Sequence, residues 1–256
     1  IELISRGLAT KNYNLEKFMR TKGARSRSGV ISVTIFTSGY LMGSEISGDM
    51  IKRGGCPMDC HYCPLEVDST GNPTQPRSYL STEPGNRRAT DNKHHPFGQV
   101  LARLHQLQAM GHVSSNTKDI SKIELIISGG TFNFYPREYI IWFTTCAYYA
   151  CNTYYHTRDN YKDFSAVRAM KSLEYEKNEN EASSLRIIGL TIETRPDYVT
   201  PRDKIHPDVI DFSQIELFRL IGTTRVQVGV QSTNDVILRK INRKCTSAQN
   251  KEGIRR

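Results

Sequence analysis

The stretch Cys56 to Pro64 reads CPMDCHYCP, with cysteines at 56, 60 and 63 in a C-x3-C-x2-C spacing and no fourth cysteine nearby. A structural zinc site takes four protein ligands, usually as pairs from separate turns. A [4Fe–4S] cluster is likewise held by four thiolates, so three protein ligands leave one iron open to a small molecule. The spacing therefore points to a reaction site. Two other readings stand beside it at this stage. One is a Cys3His zinc site completed by His61, which is wedged between ligands, or by His94 or His95; the other is three free structural cysteines.

Working outward, Val30 to Thr37 (VISVTIFT) is β-branched and reads as a strand feeding the cysteine loop through a Gly/Ser-rich connection, Ser38 to Gly55. Leu65 to Pro96, dense in Pro, Gly, Asn and Arg, reads as a long functional loop. Phe97 to Met110 carries apolar residues at helical spacing and stops at Gly111. Ile123 to Ser128 is a buried-strand candidate running into Gly129-Gly130-Thr131. Pro136 can open a helix, and Tyr139 to Tyr149 is apolar enough to pack on a sheet. Asn152 to Ser184 is polar and reads as an insertion, with one helix around Ser165 to Tyr175. Leu185 to Glu193 is the next strand, ending in Thr194-Arg195-Pro196-Asp197. Ser213 to Glu216 forms a capping box ahead of an apolar helix closed by Gly222, then Arg225 to Val230 reads as a strand and Asp235 to Ile241 as a helix. Repeated βα units imply a parallel sheet with right-handed crossovers and functional residues at the carboxyl ends of the strands. Too few units are visible for an eight-fold barrel, so the expected fold is α/β, a partial (βα) barrel incomplete at its C-terminal side. The organisation expected is a basic segment over 1–29, the barrel domain over 30–243 with insertions at 38–55, 64–96 and 152–184, and a tail over 244–256.

The chain has 256 residues and a formal charge of +9, which favours a polyanionic partner such as RNA. The clearest basic patches are Lys17 to Arg27, which includes Lys22, Arg25 and Arg27, and Arg77 with Arg87 and Arg88. Each is equally readable as solvated charge. No run approaches the roughly 20 apolar residues of a membrane span, and the first thirty residues lack the apolar core of a signal peptide. Cys146, Cys151 and Cys245 are scattered, unlike a secreted disulfide framework. A cytoplasmic protein with no membrane partner is expected.

Tyr62, just before the last cysteine, completes a motif that resembles the signature of the radical S-adenosylmethionine (SAM) superfamily. The resemblance implies that Cys56, Cys60 and Cys63 ligate a [4Fe–4S] cluster whose fourth iron chelates SAM, which an external reductant then helps to split into methionine and a 5′-deoxyadenosyl radical. It also implies that the backbone of Gly129, Gly130 and Thr131 meets the SAM amino group. Glu193 is expected at the ribose hydroxyls, its alternatives being an ion pair with Arg195 or a helix cap. Gln231 is expected as a neutral hydrogen-bonding group on the same face, its alternative being plain turn chemistry.

Longer blocks narrow the resemblance. Gln75 to Ala89 (QPRSYLSTEPGNRRA), Glu124 to Tyr139 (ELIISGGTFNFYPREY), Ile188 to Thr200 (IGLTIETRPDYVT) and Thr224 to Arg243 (TRVQVGVQSTNDVILRKINR) closely resemble the catalytic subunit of Elongator. That family forms the carboxymethyl precursor at C5 of the wobble uridine of tRNA, taking its carbon from acetyl-CoA. The resemblance implies tRNA as partner, with Arg77, Arg87 and Arg88, and more weakly Arg25 and Arg27, on tRNA phosphates, and it allows further Elongator subunits. Members of the family carry a C-terminal acetyltransferase-like domain, and nothing after Arg243 is expected to be that domain. The alternatives are a radical SAM enzyme on another substrate, or a non-catalytic iron–sulfur tRNA-binding module.

Overall fold

A computed structural model describes residues 7–8, 10, 12, 28–39, 55–159, 167–199 and 214–255. Four parallel strands lie in sequence order: β1 (Val30–Phe36), β2 (Ser121–Ser128), β3 (Leu185–Thr194) and β4 (Arg225–Val228). The sheet is open and the fold is α/β, in keeping with a partial barrel. Ile31, Val33 and Ile35 of β1 and Ile123, Leu125 and Ile127 of β2 alternate with polar or half-exposed residues, so one face of the sheet is apolar. That face packs under α2 (Pro96–Ala109), α3 (Arg137–Asp159) and α4 (Leu173–Glu181).

β3 contains the irregularity that decides what faces the other side. Ile123 pairs with Ile187, but Glu124 pairs with Gly189, so Ile188 is an extra residue opposite no partner. A bulge of this kind reverses the alternation beyond it. Leu190 and Ile192 therefore join the core with Leu125 and Ile127, and Glu193 is delivered to the inner face beside Ser128.

Four stretches differ from their sequence reading. The expected loop from Leu65 to Pro96 contains α1 (Pro84–Asp91), a polar helix opened by Pro84, with Asn86 and Ala89 buried; its PGNRRATD sequence has no apolar stripe to announce it. α3 does not stop before Asn152 but runs on to Asp159, because Thr153, Tyr154 and Thr157 are buried on its inner side and Asn152 donates to Glu176. The helix expected around Ser165 to Tyr175 starts instead at Leu173, where the Ser172 hydroxyl accepts from the Tyr175 amide. The C-terminal stretch read as a tail forms α7 (Ser247–Arg255), after α5 (Gln214–Ile221) and α6 (Asp235–Lys240). α7 lies against the Pro196–Tyr198 turn so closely that a Cβ on Gly253 would sit 1.9 Å from the Pro196 carbonyl oxygen. The capping Ser213, the segment 40–54, Lys22, Arg25 and Arg27 lie outside the described residues. No helix among the described residues is long and apolar enough to cross a membrane.

Candidate active site at the carboxyl ends of the strands

The cysteine loop is clamped from both sides. Gly55 at its start, with φ of 88°, presents its carbonyl to the Thr131 amide at 2.6 Å, which ties the loop to the end of β2. On the far side the His61 amide donates to the Ile241 carbonyl and its Nδ1 lies 3.1 Å from the Lys240 carbonyl oxygen at the end of α6. Asn242 completes the clamp by donating to the Asp59 carbonyl and carboxylate.

Cys56, Cys60 and Cys63 line one cavity of about 380 Å³ together with Tyr79, Thr131 and Glu193. Burial pushes the Cys63 thiol pKa up, while the Ser78 hydroxyl, donating to its sulfur at 3.1 Å, works the other way. His94 and His95 are engaged elsewhere: His94 Nδ1 lies 3.0 Å from the Thr37 carbonyl oxygen, and His95 packs edge-on against Trp142. Among the described residues, no three His, Cys, Asp or Glu side chains are gathered to share a single metal ion. Three thiols on one cavity wall are a protein ligand set that suits a cluster with one iron left open.

Two buried arginines stand behind Cys60. Arg195 Nη1 lies 3.8 Å and Arg243 Nη1 3.7 Å from its sulfur. Arg195 does not pair with Glu193, the alternative raised by the sequence. It donates to both carboxylate oxygens of Asp197, at 3.0 and 2.8 Å, and to the Arg243 carbonyl at 2.7 Å. Burial is the largest single influence and opposes its charge, but the hydrogen bonds to Asp197, its negative charge and those of Cys56 and Cys245 together hold the Arg195 pKa above the ordinary value. Arg243 also donates to the Gly229 carbonyl and to the Tyr62 hydroxyl. The Tyr62 pKa is pushed up to about 12, mainly by burial, with Arg243 opposing. Two guanidiniums at one sulfur match a donor set that must carry thiolate charge.

The cofactor side of the cavity is polar. Glu193 accepts from the Tyr79 hydroxyl at 2.5 Å, the Ser128 hydroxyl at 2.8 Å and the Gly129 amide at 3.3 Å. Burial first, and the Glu193 charge second, raise the Tyr79 pKa, so its phenol stays a proton donor. Thr131 is fully buried and its hydroxyl has no partner among the described residues, which leaves a hydrogen-bonding group at the wall for a bound molecule. Gly130 lines the cavity, whereas Gly129 is held to glycine by packing, since a Cβ there would meet the Thr37 hydroxyl at 1.9 Å. Gln231 is exposed at the rim with a left-handed backbone, φ of 66°. These residues fit a cluster and an amino-acid-bearing nucleoside in chemistry.

Of the described arginines expected at tRNA, Arg87 is exposed and Arg77 half-buried, but Arg88 turns inward and donates to the Thr34 carbonyl at 2.8 Å. Ser78, Tyr79, Asp197 and Arg243 were not singled out from sequence. Each lies in or beside the blocks quoted above, but the pairing of Tyr79 with Glu193 spans 114 residues and that of Arg243 with Cys60 spans 183, which no local pattern records.

An open parallel sheet with three cysteines and a buried polar rim at its carboxyl ends is the frame of a cluster enzyme, and the chain belongs to the Radical SAM superfamily, which it matches over residues 50–256. That superfamily implies a [4Fe–4S] cluster and SAM. Its relatives narrow the likeness. The chain is 33% identical over 222 residues to the tRNA uridine(34) acetyltransferase of Methanocaldococcus infernus, covering 86% of this chain and 33% of the relative. It is 33% identical over 231 residues to Elongator complex protein 3 of Homo sapiens, covering 88% and 34% respectively. The solved structure of the archaeal Methanocaldococcus infernus Elp3 with an N-terminal deletion is similar, with a TM-score of 0.54 and 26% identity over 88% of this chain and 34% of that one. The chain thus spans about a third of the length of these relatives.

Proposed function

We propose that this chain is the radical domain of a tRNA-modifying enzyme that forms the carboxymethyl precursor at C5 of the wobble uridine, with acetyl-CoA as carbon source. The observation that carries the reading is the convergence of Cys56, Cys60 and Cys63 with Gly130, Thr131 and Glu193 on one cavity. The names of the relatives support tRNA as substrate.

When bound, the cluster and SAM would supply radical chemistry at a carbon–hydrogen bond, which the side chains of the protein do not provide by themselves. The chain's own residues bind and orient. Cys56, Cys60 and Cys63 are the thiolate ligands, and Arg195 and Arg243 offset the charge at Cys60. Glu193, positioned by Tyr79 and Ser128, is the acceptor for ribose hydroxyls. Gly130 and Thr131 face the amino-acid end, with Tyr62 and Gln231 at the rim. Arg77 and Arg87 are the cations for tRNA phosphates, with an external reductant and other Elongator subunits as further partners in a cytoplasmic setting.

The test is anaerobic reconstitution with iron and sulfide, followed by SAM and dithionite, reading bound iron and 5′-deoxyadenosine. About four irons per chain and formation of 5′-deoxyadenosine are expected. Cys60→Ala should lose the cluster; unchanged iron in that variant, or zinc held in preference to iron, refutes the assignment.

A further inference from the structure

A second cavity, also of about 380 Å³, lies on the far side of β1. β1 ends the sheet, so its outer edge has no neighbouring strand among the described residues. Ile31, Phe36 and Leu107 give the cavity an apolar floor, while Arg88 from α1 and Arg103 from α2 supply its charge beside His112; among the described residues no Asp or Glu lines it.

Arg88 is in an unusual position for a surface arginine. It is half-buried, its Nη2 is committed to the Thr34 carbonyl, and its Nε is buried without a partner among the described residues. Burial, and then the like charge of Arg103, lower its pKa, and no carboxylate among the described residues acts on it in the opposite sense. A half-buried cation whose charged neighbour has the same sign is costly unless an anion joins it. The first turn of α1, Pro84 and Gly85, also borders the cavity, and its N-cap carboxylate, Glu83, is not among the residues that line it. Planar guanidiniums match a phosphate through paired N–H donors.

We propose that this cavity is a phosphate-binding site with Arg88 and Arg103 as its cations. Resting on the tRNA reading above, the phosphate is one of the RNA backbone, held at the edge of β1. The two cavities share a wall: the Phe36 ring packs edge-on against Tyr79 at 4.9 Å between centroids, and Tyr79 holds Glu193 on the other side. An RNA seated there is anchored directly behind the radical cavity. This also separates Arg88 from Arg87, its exposed neighbour on the same helix.

The test is direct binding by the full chain at low salt, using pyrophosphate by calorimetry and a labelled RNA stem-loop by fluorescence anisotropy. Arg103→Gln, at a half-exposed position, is compared with Lys251→Gln on the exposed side of α7, which should leave both probes unchanged. Pyrophosphate should bind, and Arg103→Gln should weaken both probes by about 10-fold and reduce the RNA salt slope by about 1. Weakening of pyrophosphate alone supports the phosphate site and assigns it to a free phosphate compound instead of RNA. If pyrophosphate does not bind, or binds equally to Arg103→Gln, the proposal is overturned. Cys60→Ala serves as the separating control: it removes the cluster while leaving pyrophosphate binding intact, so failure of the radical reading and failure of this site give different results.

Discussion

Replacing Asp197 with asparagine removes the counter-charge of a buried arginine. The Arg195 and Asp197 side chains are 2% and 8% exposed, and they meet through two hydrogen bonds of 3.0 and 2.8 Å. Removing one partner of such a pair leaves a buried charge uncompensated and typically costs about 3–5 kcal/mol. The asparagine oxygen still accepts one of the two bonds, and Arg195 keeps its bond to the Arg243 carbonyl, so the lower end, about 3 kcal/mol, is expected. At a urea slope of about 2–3 kcal/mol per M, the unfolding midpoint of the cluster-free chain should fall by about 1–1.5 M. Asp159→Asn is the comparison, because Arg158 and Asp159 also meet at 2.7 Å but are 23% and 58% exposed; no measurable shift is expected there. The double variant Arg195→Met with Asp197→Leu should recover most of the loss, since apolar replacement of both partners leaves no stranded charge. A midpoint for Asp197→Asn no lower than that for Asp159→Asn would show that the Arg195 charge is compensated elsewhere, and the account of the guanidinium behind Cys60 would fail with it.

Burial holds the His94 pKa below its ordinary 6.5, so the imidazole is neutral when folded and takes up a proton first in the unfolded chain. Its contribution is present above about pH 6.5 and is lost as pH falls through that value towards the folded pKa; His94→Gln should flatten the fall in unfolding free energy between pH 7 and 5. His105 is shifted the same way, so some slope should persist, but identical slopes in the two proteins would remove His94 from the account. Gly253→Ala places a Cβ 1.9 Å from the Pro196 carbonyl oxygen, so α7 must lift; a loss of about 1–3 kcal/mol and faster amide exchange in Ser247–Arg255 are expected, and unchanged exchange would contradict the close packing. Glu193→Gln should keep the iron content and weaken SAM binding measured by equilibrium dialysis, with Glu193→Ala weaker still; equal SAM affinity in all three proteins would take Glu193 out of the cofactor site.

Local pattern and tertiary structure contributed different parts of this molecule. β1, β2 and β3 were readable because runs such as VISVTIF and SKIELIIS combine β-branched residues with a period of two. α2 was readable from its apolar spacing, and the cysteine triad from spacing alone. α1 was not, because a helix of mean polar character held by buried Asn86 and Ala89 leaves no stripe. α7 was not either, because what holds it is contact between Gly253 and a turn far away in the chain.

The site divides along the same line. The sequence by itself determined the chemistry available at the strand ends, three thiols, a Gly-Gly pair and a carboxylate, because ligand type and spacing are local properties of the chain. Only the tertiary structure decided which way they face and what stands behind them. The extra residue at Ile188 turns Glu193 inward, Tyr79 reaches it from 114 residues away, and Arg195 chooses Asp197 over Glu193. Arg88, read as a surface cation, is drawn onto the edge of β1 for the same reason: burial and hydrogen-bond geometry between distant segments are set by packing, which no local spacing encodes.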